Sequence, residues 1–330
     1  MSKYLRIGVS VVLLAFVGWK TDWANVGDKF AHLNVVYWLG AVVALVLAQF
    51  VSARRWQLFA RELRFERTLG QYSAYYFIGM YFNLLLPTSV GGDVMRVWYL
   101  NGETGRKMAA LASVFLERVN GLLVLIAMAC VGVLCSPVPL EWWIHASVWS
   151  IAGCAVLGIM ASPFMRHVTW VSLQRREQMQ TMHSLLYVPK VVAGATAMSI
   201  LVQVCGVVTL WCVGMSLGLD IPVAYYCVLG PMVSLLTLLP ISVNGMGVRE
   251  LGTVVFLAPL DVHEDSAKTL AFLWFAVNVA VSLLGGLVYL IGAFPKAQTD
   301  ANPAGEGTNE HGPVDRDSNQ GREGQLTKAA

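Results

Sequence analysis

Long apolar runs separated by short polar stretches make up most of this chain. An apolar run of about 20 residues is long enough to cross the roughly 30 Å hydrocarbon core of a bilayer as a helix. The segments with this pattern, of which the first is short, are residues 5–19, 35–53, 113–136, 146–162, 191–217 and 269–294. Two further apolar stretches, 72–87 and 223–240, each end at a Pro, and a Gly lies five positions after each Pro. The pattern predicts an all-α polytopic membrane protein with six full spans and eight hydrophobic segments in total.

The two interrupted stretches carry the same phrase, 153 positions apart. Residues 86–96 read LPTSVGGDVMR and residues 239–249 read LPISVNGMGVR, and six of the eleven positions are identical. Chance repetition of common residues is one explanation, but Pro, Gly and Arg all recur at the same spacing. Hydrophobic segments interrupted by Pro or Gly at corresponding positions of two halves are typical of repeat-built transporters. The repeat predicts a duplicated, membrane-embedded site.

Positive charge decides whether these two stretches cross the membrane. Lys and Arg are retained on the cytoplasmic side, and full crossings would place the cationic loop 166–190 outside. If both stretches turn back as re-entrant hairpins, most cations fall on one side, together with the N-terminus and the C-terminus. Three full spans then separate the two phrases, so the hairpins enter from opposite faces. We therefore predict two inverted-repeat re-entrant hairpins.

Composition supports a membrane protein and restricts the chemistry. The chain is 56% hydrophobic and 13% charged, with mean hydropathy +0.60, whereas soluble domains contain about 25% charged residues. Residues 1–294 form the predicted membrane domain, and 295–330 form a polar tail predicted to be disordered. Cysteines and histidines show no metal-ligand spacing, and there is no phosphate-binding loop. We predict no metal, no cofactor and no nucleic-acid partner.

The first phrase has the elements of a broken helix. Pro87 ends the apolar segment, Gly91 and Gly92 permit a tight turn, and Asp93 is placed to cap a short helix from Val94.

The second phrase repeats this arrangement with different residues. Pro240 is the helix breaker, and Asn244 is a candidate cap ahead of Gly245 and Gly247.

An Arg follows each break, about one turn into the short helix. A helix N-terminus offers free amide donors, and a guanidinium can bind an oxyanion with two hydrogen bonds. Arg96 and Arg249 are therefore candidate phosphate ligands. The alternative is that both extend to opposite headgroup layers. Against it stands the cost of a charge at bilayer depth, about 2.5–3.5 kcal/mol on insertion scales, which usually marks a functional residue.

Further polar residues near the phrases are candidate substrate-binding groups. They are Asn83, Glu117, Arg118 and Glu250. Neighbours on a helix do not face each other, so Glu117 is expected to find Arg96 or Arg249 across the bundle. Salt bridges at the cytoplasmic interface are the other interpretation of the pair Glu117 and Arg118.

Four ordered motifs resemble the lysylphosphatidylglycerol synthase transmembrane region, a flippase-like family. They are NLLLP at 83–87, GGDVMR at 91–96, SVFLERVNG at 113–121 and NGMGVRE at 244–250. The resemblance implies a bacterial inner-membrane protein that moves an anionic or aminoacylated phospholipid, or a lipid-linked headgroup, between leaflets. The chain has no soluble aminoacyl-transferase or glycosyltransferase domain, so we expect no enzymatic activity of its own. The alternative is an integral-membrane enzyme or an accessory subunit of a separate lipid-modifying enzyme.

Overall fold

The computed structural model describes residues 33–86, 90–102, 105–136, 138–161, 188–238, 242 and 244–292. The predicted span 5–19 and the polar tail 295–330 lie outside the described residues. The regular structure of the described part is entirely helical. This confirms an all-α polytopic membrane protein, although the total number of spans stays a prediction.

The helices are numbered in chain order. They are α1 Val35–Glu62, α2 Leu69–Leu85, α3 Gly91–Asn101, α4 Lys107–Cys135, α5 Trp142–Ala161, α6 Pro189–Ser216, α7 Val223–Leu238, α8 Val248–Leu257 and α9 Glu264–Ile291. Five of them, α1, α4, α5, α6 and α9, are long and apolar enough to cross a membrane. They correspond to the five predicted spans that fall within the described residues.

Helix α1 extends well beyond its predicted end at Ala53. It continues to Glu62, and its last turns bury Arg55, Trp56 and Phe59. Because the predicted span ended at residue 53, Arg55 was expected in the following cytoplasmic loop, and that expectation is wrong. Arg55 stays in the helix because its charge is paired inside the bundle, as described below.

Helices α1 and α6 form a long antiparallel pair. The amide of Asn34 at the start of α1 donates to the carbonyl of Ser216 at the end of α6, at 3.0 Å. Near the other end, Gly194 lies against the side chain of Leu58. A 28-residue helix is about 42 Å long, so the two contacts mark opposite ends of the pair.

Helices α2 and α3 form the first hairpin. At its closed end, Asn83 Oδ1 accepts a hydrogen bond from the Gly92 amide at 2.7 Å. At its open end, Arg106 donates to the carbonyl of Leu63 at 2.8 Å, so the chain returns to the end of α1 from which it left. The 17 residues of α2 rise about 25 Å, less than the roughly 30 Å needed to span a bilayer.

Helices α7 and α8 form the second hairpin in the same way. At its closed end Gly245 lies against Thr237, and at its open end the Tyr225 hydroxyl donates to the carbonyl of Phe256. The chain therefore returns to the end of α6 that contacts Asn34. The two hairpins open at opposite ends of the α1–α6 pair, which agrees with the inverted arrangement predicted from the positive charges and the number of spans between the phrases.

Glycines join the two repeats to each other. A side chain at Gly285 of α9 would overlap the backbone of Phe77 in α2, and one at Gly132 of α4 would lie 2.8 Å from the Cys227 carbonyl carbon in α7. The first hairpin therefore packs closely against α9, which follows the second hairpin, and the second packs against α4, which follows the first.

Candidate functional site

Glu117 is the centre of a buried ionic cluster beside the first hairpin. Its carboxylate accepts hydrogen bonds from Arg55 of α1 and from Arg96 of α3, the latter at 3.0 Å. All three residues are at most 5% exposed. Such a group is stable only because each charge has a partner, since an isolated buried charge would carry a large desolvation cost. The predicted contact between Glu117 and Arg96 is confirmed.

Asp93 links this cluster to Arg118. Its carboxylate lies 3.3 Å from Arg96 Nη1, 2.7 Å from Arg118 Nε and 2.9 Å from Arg118 Nη2. The predicted helix cap at Asp93 is wrong, because α3 begins at Gly91 and its N-cap is Val90. Asp93 lies inside the first turn, and its carboxylate is directed to guanidinium groups instead of the backbone amides.

Two aromatic rings enclose the Arg96 guanidinium. Its central carbon lies 4.3 Å from the ring centre of Trp56 and 4.2 Å from that of Tyr76. Both distances are within the range of a cation–π contact. Its Nη1 and Nη2 atoms also have carboxylate partners, so Arg96 is held on several sides. We call Arg55, Asp93, Arg96, Glu117 and Arg118 the Glu117 cluster.

A row of polar side chains leads from the Glu117 cluster along the contact between α4 and α6. Arg55 donates to Ser199 Oγ at 2.8 Å, and Ser199 donates to Asn120 Oδ1 at 2.6 Å. Asn120 in turn donates to Thr196, at 3.0 Å. One turn after Ser199 along α6, Gln203 donates to the carbonyl of Gly121 at 3.3 Å. We call this row the α4–α6 polar seam.

Arg249 of the second hairpin has very different surroundings from Arg96. Its guanidinium lies 5.0 Å from the ring centre of Phe275 and 5.6 Å from that of Trp274. Its Nη1 atom is buried, and among the described residues it has no hydrogen-bond partner. The neighbouring Glu250 acts on Arg249 only through its charge and forms no ion pair with it among the described contacts, because its carboxylate accepts a hydrogen bond from the Gly247 amide at 2.6 Å at the start of α8.

Arg249 lines a cavity of about 280 Å³, which we call the Arg249 cavity. The apolar wall comes mainly from α1, α4 and α6, and neutral polar groups lie on α6, α7 and α9. The polar lining residues besides Arg249 are Gln203, Thr209, Ser234, Thr237, Trp274 and Asn278. Gln203 also ends the α4–α6 polar seam, so the seam connects the Glu117 cluster to this cavity.

The other predicted site residues fall at the hairpin tips. Asn83 accepts the hydrogen bond from the Gly92 amide, as described above, and Gly91 packs against Leu86. In the second hairpin Asn244, Gly245 and Gly247 all have positive φ, between 52° and 81°. The predicted cap at Asn244 is wrong, because Gly247 is the N-cap residue of α8.

Pro87 and Pro240, the two predicted helix breakers, lie outside the described residues. The helices before them end at Leu85 and Leu238, which fits a break at each position. That Arg96, Arg249 and their neighbours bind substrate stays a prediction.

Several residues of the two sites were missed by the sequence analysis. They are Arg55, Trp56, Tyr76, Ser199, Gln203 and Trp274. Arg55 follows an apolar run, and an Arg that anchors a helix at the cytoplasmic surface would look the same in the sequence. The only available signal was the spacing of Thr196, Ser199 and Gln203, which places three polar side chains on one face of an otherwise apolar helix.

The comparison with known families agrees with this architecture. The family model described as the lysylphosphatidylglycerol synthase TM region matches residues 4–286. The chain belongs to this family. No curated protein and no solved structure matches the chain significantly. Membership together with the five long apolar helices shows a multi-pass membrane protein that acts on lipids.

Proposed function

We propose that the chain moves an anionic phospholipid headgroup from one leaflet of the bacterial inner membrane to the other, with both termini in the cytoplasm. The observation that carries the proposal is the buried Nη1 atom of Arg249, which has no partner among the described residues and borders a cavity. A guanidinium in that position binds a phosphate oxyanion with charge-assisted hydrogen bonds. Occupation by a headgroup would compensate a charge that the described protein leaves unpaired.

The inverted hairpins supply a route for such a movement. Inverted repeats with interrupted helices are a recurring way to build a site that is reachable from either side of a membrane. The α4–α6 polar seam offers hydrogen-bonding groups between the Arg249 cavity and the Glu117 cluster, so a headgroup can exchange partners along it. The acyl chains would stay in lipid beside the apolar outer surface.

The two arginines of the repeated phrase have different roles in this proposal. Arg249 binds the phosphate. Arg96 keeps the first hairpin closed through Glu117 and Asp93, and it reaches the headgroup only when those ion pairs open. The carboxylates of Glu117 and Asp93 both face guanidinium groups, which favours transport over acid–base catalysis on a lipid-linked substrate.

The test is lipid movement in vesicles that contain only the purified full chain. Phosphatidylglycerol with a fluorescent acyl chain is followed by quenching of the outer leaflet. We expect movement with wild-type protein, at least a 10-fold slower rate for Arg249→Gln, and the wild-type rate for Arg61→Gln, which changes an exposed Arg of α1.

Three results would contradict the proposal. Equal rates for the Arg249 variant and wild type would remove the role of Arg249. A lipid that is chemically altered would indicate an enzyme, and no movement with the wild-type chain alone would favour an accessory subunit.

A further inference from the structure

Among the described residues that line the Arg249 cavity there is one cation and no acid. Its polar groups other than Arg249 are neutral, and no described lining residue carries a carboxylate. Glu250, the nearest acid in sequence, lies at the start of α8 and caps Gly247. The described lining therefore offers a positive charge to a phosphate and no carboxylate to an ammonium group.

The aromatic residues of this site do not offer a second place for a cation. Cationic headgroups are commonly held over aromatic faces. Here the rings of Trp274 and Phe275 already contact the guanidinium of Arg249. A headgroup ammonium in the same cavity would meet a like charge, and no described residue of the lining offers it a carboxylate.

The neutral groups suit hydroxyl-bearing headgroups. Asn278 uses its amide nitrogen to donate to the Trp274 carbonyl at 2.8 Å, which leaves its side-chain oxygen as an acceptor. Gln203 likewise donates through its amide nitrogen, to the Gly121 carbonyl, which leaves its side-chain oxygen as an acceptor. The Thr237 hydroxyl donates to the Ser234 carbonyl, and its oxygen can still accept a hydrogen bond. These acceptors can receive hydrogen bonds from the hydroxyls of a polyol.

The volume of the cavity limits the size of the headgroup that it can hold. About 280 Å³ is far more than the roughly 10–15 Å³ that one water requires, yet it lies at the small end of ligand pockets, which run from about 300 to 1,000 Å³. A phosphate with one short polyol fits this range. An aminoacylated or oligosaccharide headgroup is larger.

From these observations we infer that the Arg249 cavity selects a small headgroup with one phosphate and neutral hydroxyls, and rejects headgroups that carry an ammonium group. The inference rests on the proposed function and specifies its substrate class. Asn278 becomes a specificity-determining residue, because it lines the same cavity as Arg249 and its side-chain oxygen is left as an acceptor. A carboxylate at this position would supply the missing counter-charge.

The experiment compares two lipids with the same fluorescent acyl chain, phosphatidylglycerol and lysylphosphatidylglycerol, in vesicles that contain the full chain. We expect phosphatidylglycerol to move at least about 10-fold faster, a ratio that corresponds to one like-charge contact that is not compensated. Asn278→Asp should reduce this ratio severalfold. The matched control Asn34→Asp changes an exposed N-cap residue to another good cap and should leave the ratio unchanged.

The outcomes separate the inference from the proposed function. If both lipids move at the same rate, or the lysylated lipid moves faster, the inference is wrong and the proposed function stands. If neither lipid moves, the proposed function itself is wrong. If the preference is present but Asn278→Asp leaves it unchanged, the selection does not take place in this cavity and the inference is again overturned.

Discussion

Arg96 of α3 and Glu117 of α4 are joined by a 3.0 Å ion pair at the centre of a buried cluster that also contains Arg55. This pair ties the first hairpin to a long helix of its own repeat. Because one carboxylate serves two guanidinium groups, its loss leaves two buried cations without their shared partner. The Glu117 cluster is therefore a structural element of the fold as well as part of the proposed path.

Replacing Glu117 should cost more stability than any single surface change. For Glu117→Gln we expect a loss of about 3–5 kcal/mol, the usual cost of breaking a buried ion pair from one side. Thermal unfolding of the detergent-purified chain measures it. The double variant Arg55→Met with Glu117→Met should lose less than the sum of the two single changes. A Glu117→Gln protein that unfolds at the wild-type temperature would show that the pair is not stabilising.

The same substitution should change the unfolding temperature differently at the two arginines of the repeated phrase. Arg96→Gln removes two carboxylate contacts and two cation–π contacts, so its unfolding temperature should fall. Arg249→Gln removes a buried charge without a described hydrogen-bond partner at Nη1, so its unfolding temperature should stay the same or rise. Both are measured in one unfolding experiment without added lipid. A large loss of stability in Arg249→Gln would mean that Arg249 is part of the structural framework.

The closed end of the first hairpin depends on the absence of a side chain at Gly92. A Cβ atom there would overlap the carbonyl of Gly79 and lie 2.8 Å from the Asn83 side chain. Gly92→Ala should separate α2 from α3 and sharply reduce the yield of folded protein. Gly158→Ala is the matched control in α5, where a Cβ has no neighbour within 4 Å. Equal yields of both variants would contradict the close helix contact.

The inverted arrangement predicts labelling from opposite sides of the membrane. Lys107 and Ala258 lie at the open ends of the first and second hairpins, and both are exposed. Lys107→Cys and Ala258→Cys, each in a chain whose native cysteines are replaced by Ser, should react with a membrane-impermeant thiol reagent from different sides. Reaction of both from the same side would show that the hairpins are not inverted.

The sequence was sufficient to predict the inverted hairpins, because the repeat marks two interrupted apolar segments, the positive charges favour turns that do not cross, and three spans separate the two phrases. The same repeat could not predict that Arg96 and Arg249 would have different surroundings. That difference depends on Glu117, Trp56 and Tyr76, which come from other helices and have no counterpart in the repeated phrase.

Arg55 could not be placed from the sequence for a related reason. An Arg at the end of an apolar run has the same appearance whether it reaches the headgroups or turns inward. Only the position of Glu117 on a neighbouring helix, which depends on tertiary packing, decides between the two.

The central claim, that Arg249 binds the phosphate of a lipid headgroup, is tested most directly by native mass spectrometry of the full chain released from detergent with phosphatidylglycerol. The account predicts that wild-type protein and Arg61→Gln retain one tightly bound lipid, and that Arg249→Gln loses it. Retention of that lipid by Arg249→Gln at the wild-type level would contradict the account.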